Sequence, residues 1–131
     1  MASIFIVEDE AFIVDLYRDI LTVSGHVIAG VAYDGAEALD KYARTNPKPD
    51  VIIMDHRMPI VSGLDALKEI LRLSPSQKVV FVSADLSVEA EARAIGALEF
   101  ISKPFRLDDL LEKLNHLVED GKRKLPFPER S

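Results

Sequence analysis

No cysteine occurs among the 131 residues, which excludes disulfides, thiolate metal sites and a cysteine nucleophile and leaves the redox compartment open. Long hydrophobic runs are missing as well. No apolar stretch approaches the ~20 residues of a membrane span, and Met1-Ala2-Ser3 leads into Ile4–Val7 with no basic region before it, so the start reads as a strand and not as a signal peptide. Basic charge is scarce in the body of the chain. Residues 1–120 carry 21 acidic and 12 basic side chains, a balance of −9 against −6 for the whole sequence. Such a body repels phosphate backbones, which sets direct nucleic-acid binding aside. A soluble, cytoplasmic protein with no membrane partner is the expectation.

What is present is ample apolar content, 48%, enough for one core in a chain close to the usual domain size of ~100–150 residues. The sequence is organised around Asp50–Pro59, DVIIMDHRMP. Val51–Met54 is too short for a helix and suits a strand buried on both faces, closed by Met58-Pro59. Asp55 leaves that strand at its carboxyl end, the edge where open α/β sheets build their sites.

Four more short apolar runs flank it: Ser3–Val7, His26–Ala32, Lys78–Val82 and Leu98–Ile101. Between them lie helical stripes. Ile13, Leu16, Tyr17, Ile20 and Leu21 form one, stopped at Gly25. Asp34 and Glu37 have cap spacing ahead of Leu39 and Tyr42, as do Ser62 and Asp65 ahead of Leu64, Leu67, Ile70 and Leu71. Ser87–Ile95, stopped at Gly96, is Ala-rich and lightly anchored. Leu107, Leu110, Leu111, Leu114, Leu117 and Val118 mark a final helix. Five alternations predict a doubly wound (βα)5 flavodoxin-like fold, an α/β fold whose five parallel strands run in the order 2-1-3-4-5, with the crevice between strands 1 and 3. One domain is expected over residues 1–120, followed by a basic, proline-containing tail or linker over residues 121–131.

The crevice places Glu8 and Asp9 beside Asp55. At an effective dielectric near 20, two like charges ~4 Å apart repel by about 4 kcal/mol, so three carboxylates call for positive charge. Oxygen ligands suit a hard divalent cation such as Mg²⁺, and Lys103 at the end of strand 5 supplies a second positive charge. Three carboxylates, one ammonium and Mg²⁺ sum to zero, and a metal there can hold a phosphoryl group against a carboxylate nucleophile. Ser83 offers it a hydroxyl.

Glu8-Asp9, Asp55 within MDHRMP, Gly63, Ser83-Ala84 and the run from Phe100 to Phe105 (FISKPF) together resemble the response-regulator receiver domain of two-component signalling, chemotaxis type. The resemblance covers residues 3–118. It implies that Asp55 is the phosphoacceptor for a histidine kinase, that Glu8, Asp9, Asp55 and the backbone carbonyl of Arg57 hold Mg²⁺, that Lys103 and Ser83 contact the phosphoryl group, and that Phe100 is the aromatic switch. Output would pass through the helix 4, strand 5 and helix 5 face to a downstream protein or effector domain, or to a phosphorylation-dependent dimer. The activity implied is that of a switch promoting its own phosphorylation and dephosphorylation, and not of an enzyme; the alternative is a receiver domain truncated from a multidomain regulator.

Taken singly, these residues read blandly: loop carboxylates are usually solvated, a lone lysine is usually on the surface, and Ser83 alone suits a local cap. Their joint placement reverses that. His56 follows Asp55 directly, but strand neighbours face opposite ways, so its imidazole should point away from the site. His26 and His116 read as surface or boundary residues. Arg57 and Asp85 flank the pocket mouth; a salt bridge between them would slow acyl-phosphate hydrolysis, whereas two solvated rim charges would do little. Phe100 has no polar tip, so an inward position should cost less than it would for tyrosine. Three rival functions fit less well. An aspartyl-phosphate phosphatase would want a second acid at position 57, where Arg57 stands. A flavin or nucleotide carrier would want a phosphate loop after strand 1, where Glu8-Asp9 repel phosphate. A receiver-like module independent of phosphorylation would have no use for a full set of competent residues.

Overall fold

The computed structural model describes residues 2–58 and 60–123, with side chains as far as Val118. The five apolar runs form parallel strands β1 (Ser3–Val7), β2 (Val27–Ala32), β3 (Val51–Asp55), β4 (Lys78–Ser83) and β5 (Glu99–Ser102). They pair in the order β2-β1-β3-β4-β5, the order the alternation predicts. Helices α1 (Ala11–Val23), α2 (Gly35–Arg44), α3 (Gly63–Leu73), α4 (Glu89–Ile95) and α5 (Leu107–Arg123) connect or follow them.

Both cap signals are used. The Asp34 carboxylate accepts from the Glu37 amide at 2.7 Å, and Glu37 reaches back to the Tyr33 amide at 2.7 Å. Ser62 Oγ accepts from the Asp65 amide at 3.2 Å. Each satisfies a donor that the first helical turn would otherwise leave unpaired.

Alternation along the strands splits the core into two layers. Ile4, Ile6, Val51, Ile53, Val80, Val82 and Ile101 pack with Val14, Tyr17 and Leu21 of α1 and with Leu110, Leu114 and Leu117 of α5. Phe5, Val7, Ile52, Met54, Val79, Phe81 and Phe100 pack with α2, α3 and Ala92 of α4. At the base of the sheet the Asp50 carboxylate accepts from the Ser3 amide at 2.8 Å, and the Asp50 amide donates to Ser3 Oγ at 2.9 Å. That clamp sets the β1–β3 register, Val7 beside Met54.

Two local expectations, on the fourth helical segment and on His26, are corrected. The fourth helical segment does not begin as an α-helix at Ser87: a 3-10 turn over Leu86–Val88 precedes α4, because the Asp85 carboxylate captures the Ser87 amide at 3.0 Å. Helix α5 continues to Arg123, three residues into the segment expected as tail, and residues 124–131, like Pro59, lie outside the described residues. His26 is buried, not at the surface: the Ala2 amide donates to its Nδ1 at 3.1 Å, because the chain ahead of β1 lies across the start of β2. His116 is exposed.

Candidate functional site

The register that sets Val7 beside Met54 brings Glu8, one residue on, beside Asp55. Strand alternation then sorts the chemistry by face. Glu8, Asp55 and Lys103 continue the series Ile4-Ile6, Val51-Ile53 and Ile101, which belongs to the α1/α5 layer. His56, Ser83 and Phe100 fall in the series of the opposite layer, with Phe5, Phe81 and Val79. Glu8, Asp55 and Lys103 thus approach the sheet edge from one side, and His56, Ser83 and Phe100 from the other.

Asp55 is 4% exposed. Lys103 Nζ lies 2.8 Å from its Oδ1 and 3.4 Å from Glu8 Oε1. Glu8, Asp9 and Asp55 each offer a carboxylate oxygen, and these all lie within 4.8 Å of one another. Glu8 has been pushed up from the ordinary glutamate range to about 7, first by burial and next by the Asp55 charge, against the opposing pull of Lys103. Burial likewise raises Asp55, against the Lys103 hydrogen bond and charge. Desolvation works against the Lys103 ammonium, yet Asp55 and Glu8 hold its pKa above the usual lysine range. The trio is therefore short of positive charge even with Lys103 in place. A hard divalent cation fits that deficit and that all-oxygen donor set.

Ser83 is buried, and its Oγ accepts from the Asp85 amide at 2.9 Å, so its own O–H remains a donor. Phe100, across from Phe81 in the β4–β5 register, lies inward at 7% exposure, the rings 6.2 Å apart and 21° from parallel. The His56 imidazole turns away from the carboxylates, as strand alternation requires, and packs 5.7 Å from the Phe81 ring. A row of three rings, His56, Phe81 and Phe100, therefore runs from the residue after Asp55 to the far edge of the sheet.

Of the two readings of Arg57 and Asp85, the salt bridge does not form among the described residues. Asp85 is held by the Ser87 amide at 3.0 Å and by Ser87 Oγ at 2.5 Å, and Arg57 acts on it only as a neighbouring charge. These are rim charges, because the local turn captures the carboxylate first. Gly63 is required by close approach: a Cβ there would lie 2.3 Å from the Asp55 carbonyl oxygen and 2.6 Å from His56 Cα.

Reading the stripe of α1 as core missed one polar group. Tyr17 is 2% exposed, yet its hydroxyl has no hydrogen-bond partner among the described residues, and the charges of Glu8 and Asp55 act on it. A tyrosine in a helical apolar stripe carries no signal that its hydroxyl will be buried without a partner among the described residues.

A five-stranded doubly wound sheet with three carboxylates and a lysine at its crevice defines a class of small acidic-pocket signalling domains. The comparisons agree. Residues 4–115 match the response regulator receiver domain family, and the chain belongs to that family. It is 40% identical over 114 residues to the chemotaxis protein CheY of Thermotoga maritima, covering 86% of this chain and 93% of that protein. Among solved structures it resembles CheY in the CheX-CheY-BeF3-Mg complex of Borrelia burgdorferi (TM-score 0.84, 29% identity, 88% of each chain). It also resembles a receiver domain protein of Clostridium thermocellum (TM-score 0.86, 29% identity, 93% of this chain and 98% of that one). Receiver domains of this kind are signalling switches and not classical enzymes. No helix among the described residues is long and apolar enough to cross a membrane.

Proposed function

We propose that this protein is a phosphorylation-activated switch in which Asp55 accepts a phosphoryl group from a histidine kinase. The observation that carries the reading is the Asp55 carboxylate at the carboxyl end of β3, buried yet joined to Lys103 at 2.8 Å and grouped with Glu8 and Asp9 at ligand spacing. Mg²⁺ would be held by Glu8, Asp9, Asp55 and the backbone carbonyl of Arg57, and when bound it supplies charge neutralisation on phosphoryl oxygens. The Borrelia burgdorferi relative was solved with BeF3 and magnesium, which supports that assignment.

The remaining steps belong to the chain. One Asp55 Oδ attacks phosphorus while the bond from phosphorus to the donor imidazole nitrogen breaks, the electron pair returning to that nitrogen. The Lys103 ammonium leaves Asp55 Oδ1 and pairs with a phosphoryl oxygen, offsetting charge where water is largely excluded. Ser83 donates its free O–H to another. Because Ser83 also bonds the Asp85 amide, which opens the turn into α4, its movement is transmitted to that helix. Phe100 holds the inward position on the same face, and the α4-β5-α5 surface presents the result to a downstream protein. Arg57 and Asp85, as separate rim charges, contribute little to the lifetime of the phosphorylated form.

Intact-mass measurement after incubation with Mg²⁺ and a small-molecule phosphodonor tests this. Wild type gains the mass of one phosphoryl group, and Asp55→Asn does not. Wild type without an adduct, from small donors and purified kinases alike, overturns the reading.

A further inference from the structure

Residues of β5, of the β5–α5 connection and of the first turns of α5 line one groove of about 1060 Å³. β5 is the last strand of the sheet, with β4 on one side only. The lining is of two kinds. Phe100, Ile101, Phe105 and Leu111 make it apolar, and Phe100 is also the ring that stacks on Phe81. Glu99, Asp108, Asp109 and Glu112 make it acidic, with Lys113 as the lysine or arginine set against them among the described residues.

These acids are unevenly matched. Glu99 pairs with Lys113 at 3.4 Å and Asp108 with Arg106 at 3.1 Å. Asp109 and Glu112 have no ion pair among the described residues. Both are exposed, and at a spacing of i and i+3 on α5 they stand on one helical face. Carboxylates on a solvated helix are ordinary, but these two share a groove with apolar side chains, and an occupant has to match both. A second copy matches poorly, because a two-fold interface sets a face against itself and would oppose these carboxylates to one another. Nucleic acid and anionic lipid surfaces are repelled by the same charge.

We propose that this groove takes a segment of a partner protein that is basic and apolar together, its lysine or arginine side chains meeting Asp109 and Glu112 while its apolar ones cover Phe105 and Leu111. The inference rests on the switch reading above, in which the α4-β5-α5 surface carries the output, and adds the chemical class of the partner. Charge complementarity of this kind speeds encounter and rejects acidic competitors. Phe100 lines the same groove, which ties occupancy to the position of that ring.

The test is NMR titration of the whole isotope-labelled chain with an amphipathic peptide of lysine and leucine, and with its glutamate–leucine counterpart. The lysine peptide is expected to shift the amides of residues 99–105 and 108–116 until saturation, and the glutamate peptide to leave them in place. Asp109→Lys combined with Glu112→Lys should weaken the lysine peptide at least ~10-fold, because like charges set opposite one another are costly. Asp15→Lys combined with Asp19→Lys, the same charge change on exposed positions of α1, should not. Equal loss from both pairs, shifts centred on Glu8 and Asp9, or a glutamate peptide that binds as well, reduces the binding to general attraction and overturns the proposal. A wild-type dimer whose interface falls on these amides, or their movement on deletion of residues 124–131, gives the groove a different occupant and overturns it too. Phosphoryl transfer is read separately, by intact mass with Mg²⁺ and a phosphodonor. A wild type that takes the phosphoryl group but not the lysine peptide loses this inference and keeps the switch reading; one that binds the peptide in the groove yet takes no phosphoryl group loses the switch reading and keeps the groove.

Discussion

Glu8 is the residue whose energetics are most exposed to experiment. Its pKa rises from 4.5 to about 7 on folding, so the folded state holds a proton that the unfolded chain gives up. Its contribution to stability is therefore fully present below about pH 4.5 and is lost as pH rises through 7. In the absence of Mg²⁺, Glu8→Gln should be more stable than wild type by about 1–3 kcal/mol at pH 8 and show no advantage at pH 4.5, read by urea unfolding. Equal stability at pH 8 would remove burial as the cause of the shift. The same proton links metal binding to pH: Mg²⁺ titrated near pH 6.5 in buffers of different ionisation enthalpy should release a fraction of a proton. His56, one residue from Asp55, packs against Phe81.

At the scale of elements, α3 and α4 differ in how they are held. Helix α3 buries Leu64, Ala66, Leu67 and Ile70, whereas α4 buries only Ala92, with Val88 and Ile95 partly covered. Segments with few buried apolar contacts open at lower free energy. Amides of Leu86–Ile95 should exchange at least ~10-fold faster than those of α3, since each 1.4 kcal/mol is a factor of ten; equal protection would argue that α4 is no more easily moved than its neighbour. The β3–α3 connection is the opposite case. Gly63→Ala would drive a Cβ to 2.3 Å from the Asp55 carbonyl oxygen, which forces α3 outward and should cost about 1–3 kcal/mol by chemical denaturation. Mg²⁺ affinity should fall with it, because the backbone displaced carries Asp55.

Across the described residues as a whole, the crevice at the carboxyl ends of β1 and β3 groups three carboxylates with one lysine and is short of positive charge. A ligand that binds only the folded state adds RT ln(1 + [L]/Kd), about 2.7 kcal/mol at a hundredfold excess over Kd. Mg²⁺ should therefore raise Tm by several degrees at pH 8 and less at pH 5.5, where Glu8 keeps its proton, and Asp9→Asn should abolish the rise. A rise of equal size in Asp9→Asn would place the stabilising cation away from the crevice.

Much of this was legible in the chain itself. Five short apolar runs separated by helical stripes determined the number of strands, their parallel pairing and their order, because local periodicity and right-handed crossovers leave few other solutions. The same pattern determined that Glu8, Asp9, Asp55, Ser83 and Lys103 stand at one sheet edge, since each ends or follows a strand. Only the tertiary structure decided depth and partners. Ala2 meets His26 across 24 positions and Lys103 meets Glu8 across 95, and contacts so distant in the chain leave no periodic trace. Asp85 chose Ser87 over Arg57 because a carboxylate two residues from an amide is captured locally before a rim charge can reach it. Tyr17 shows the limit most plainly: helical spacing assigned its ring to the core, while the stack on Phe105 and the burial of its hydroxyl come from packing between segments far apart in the chain.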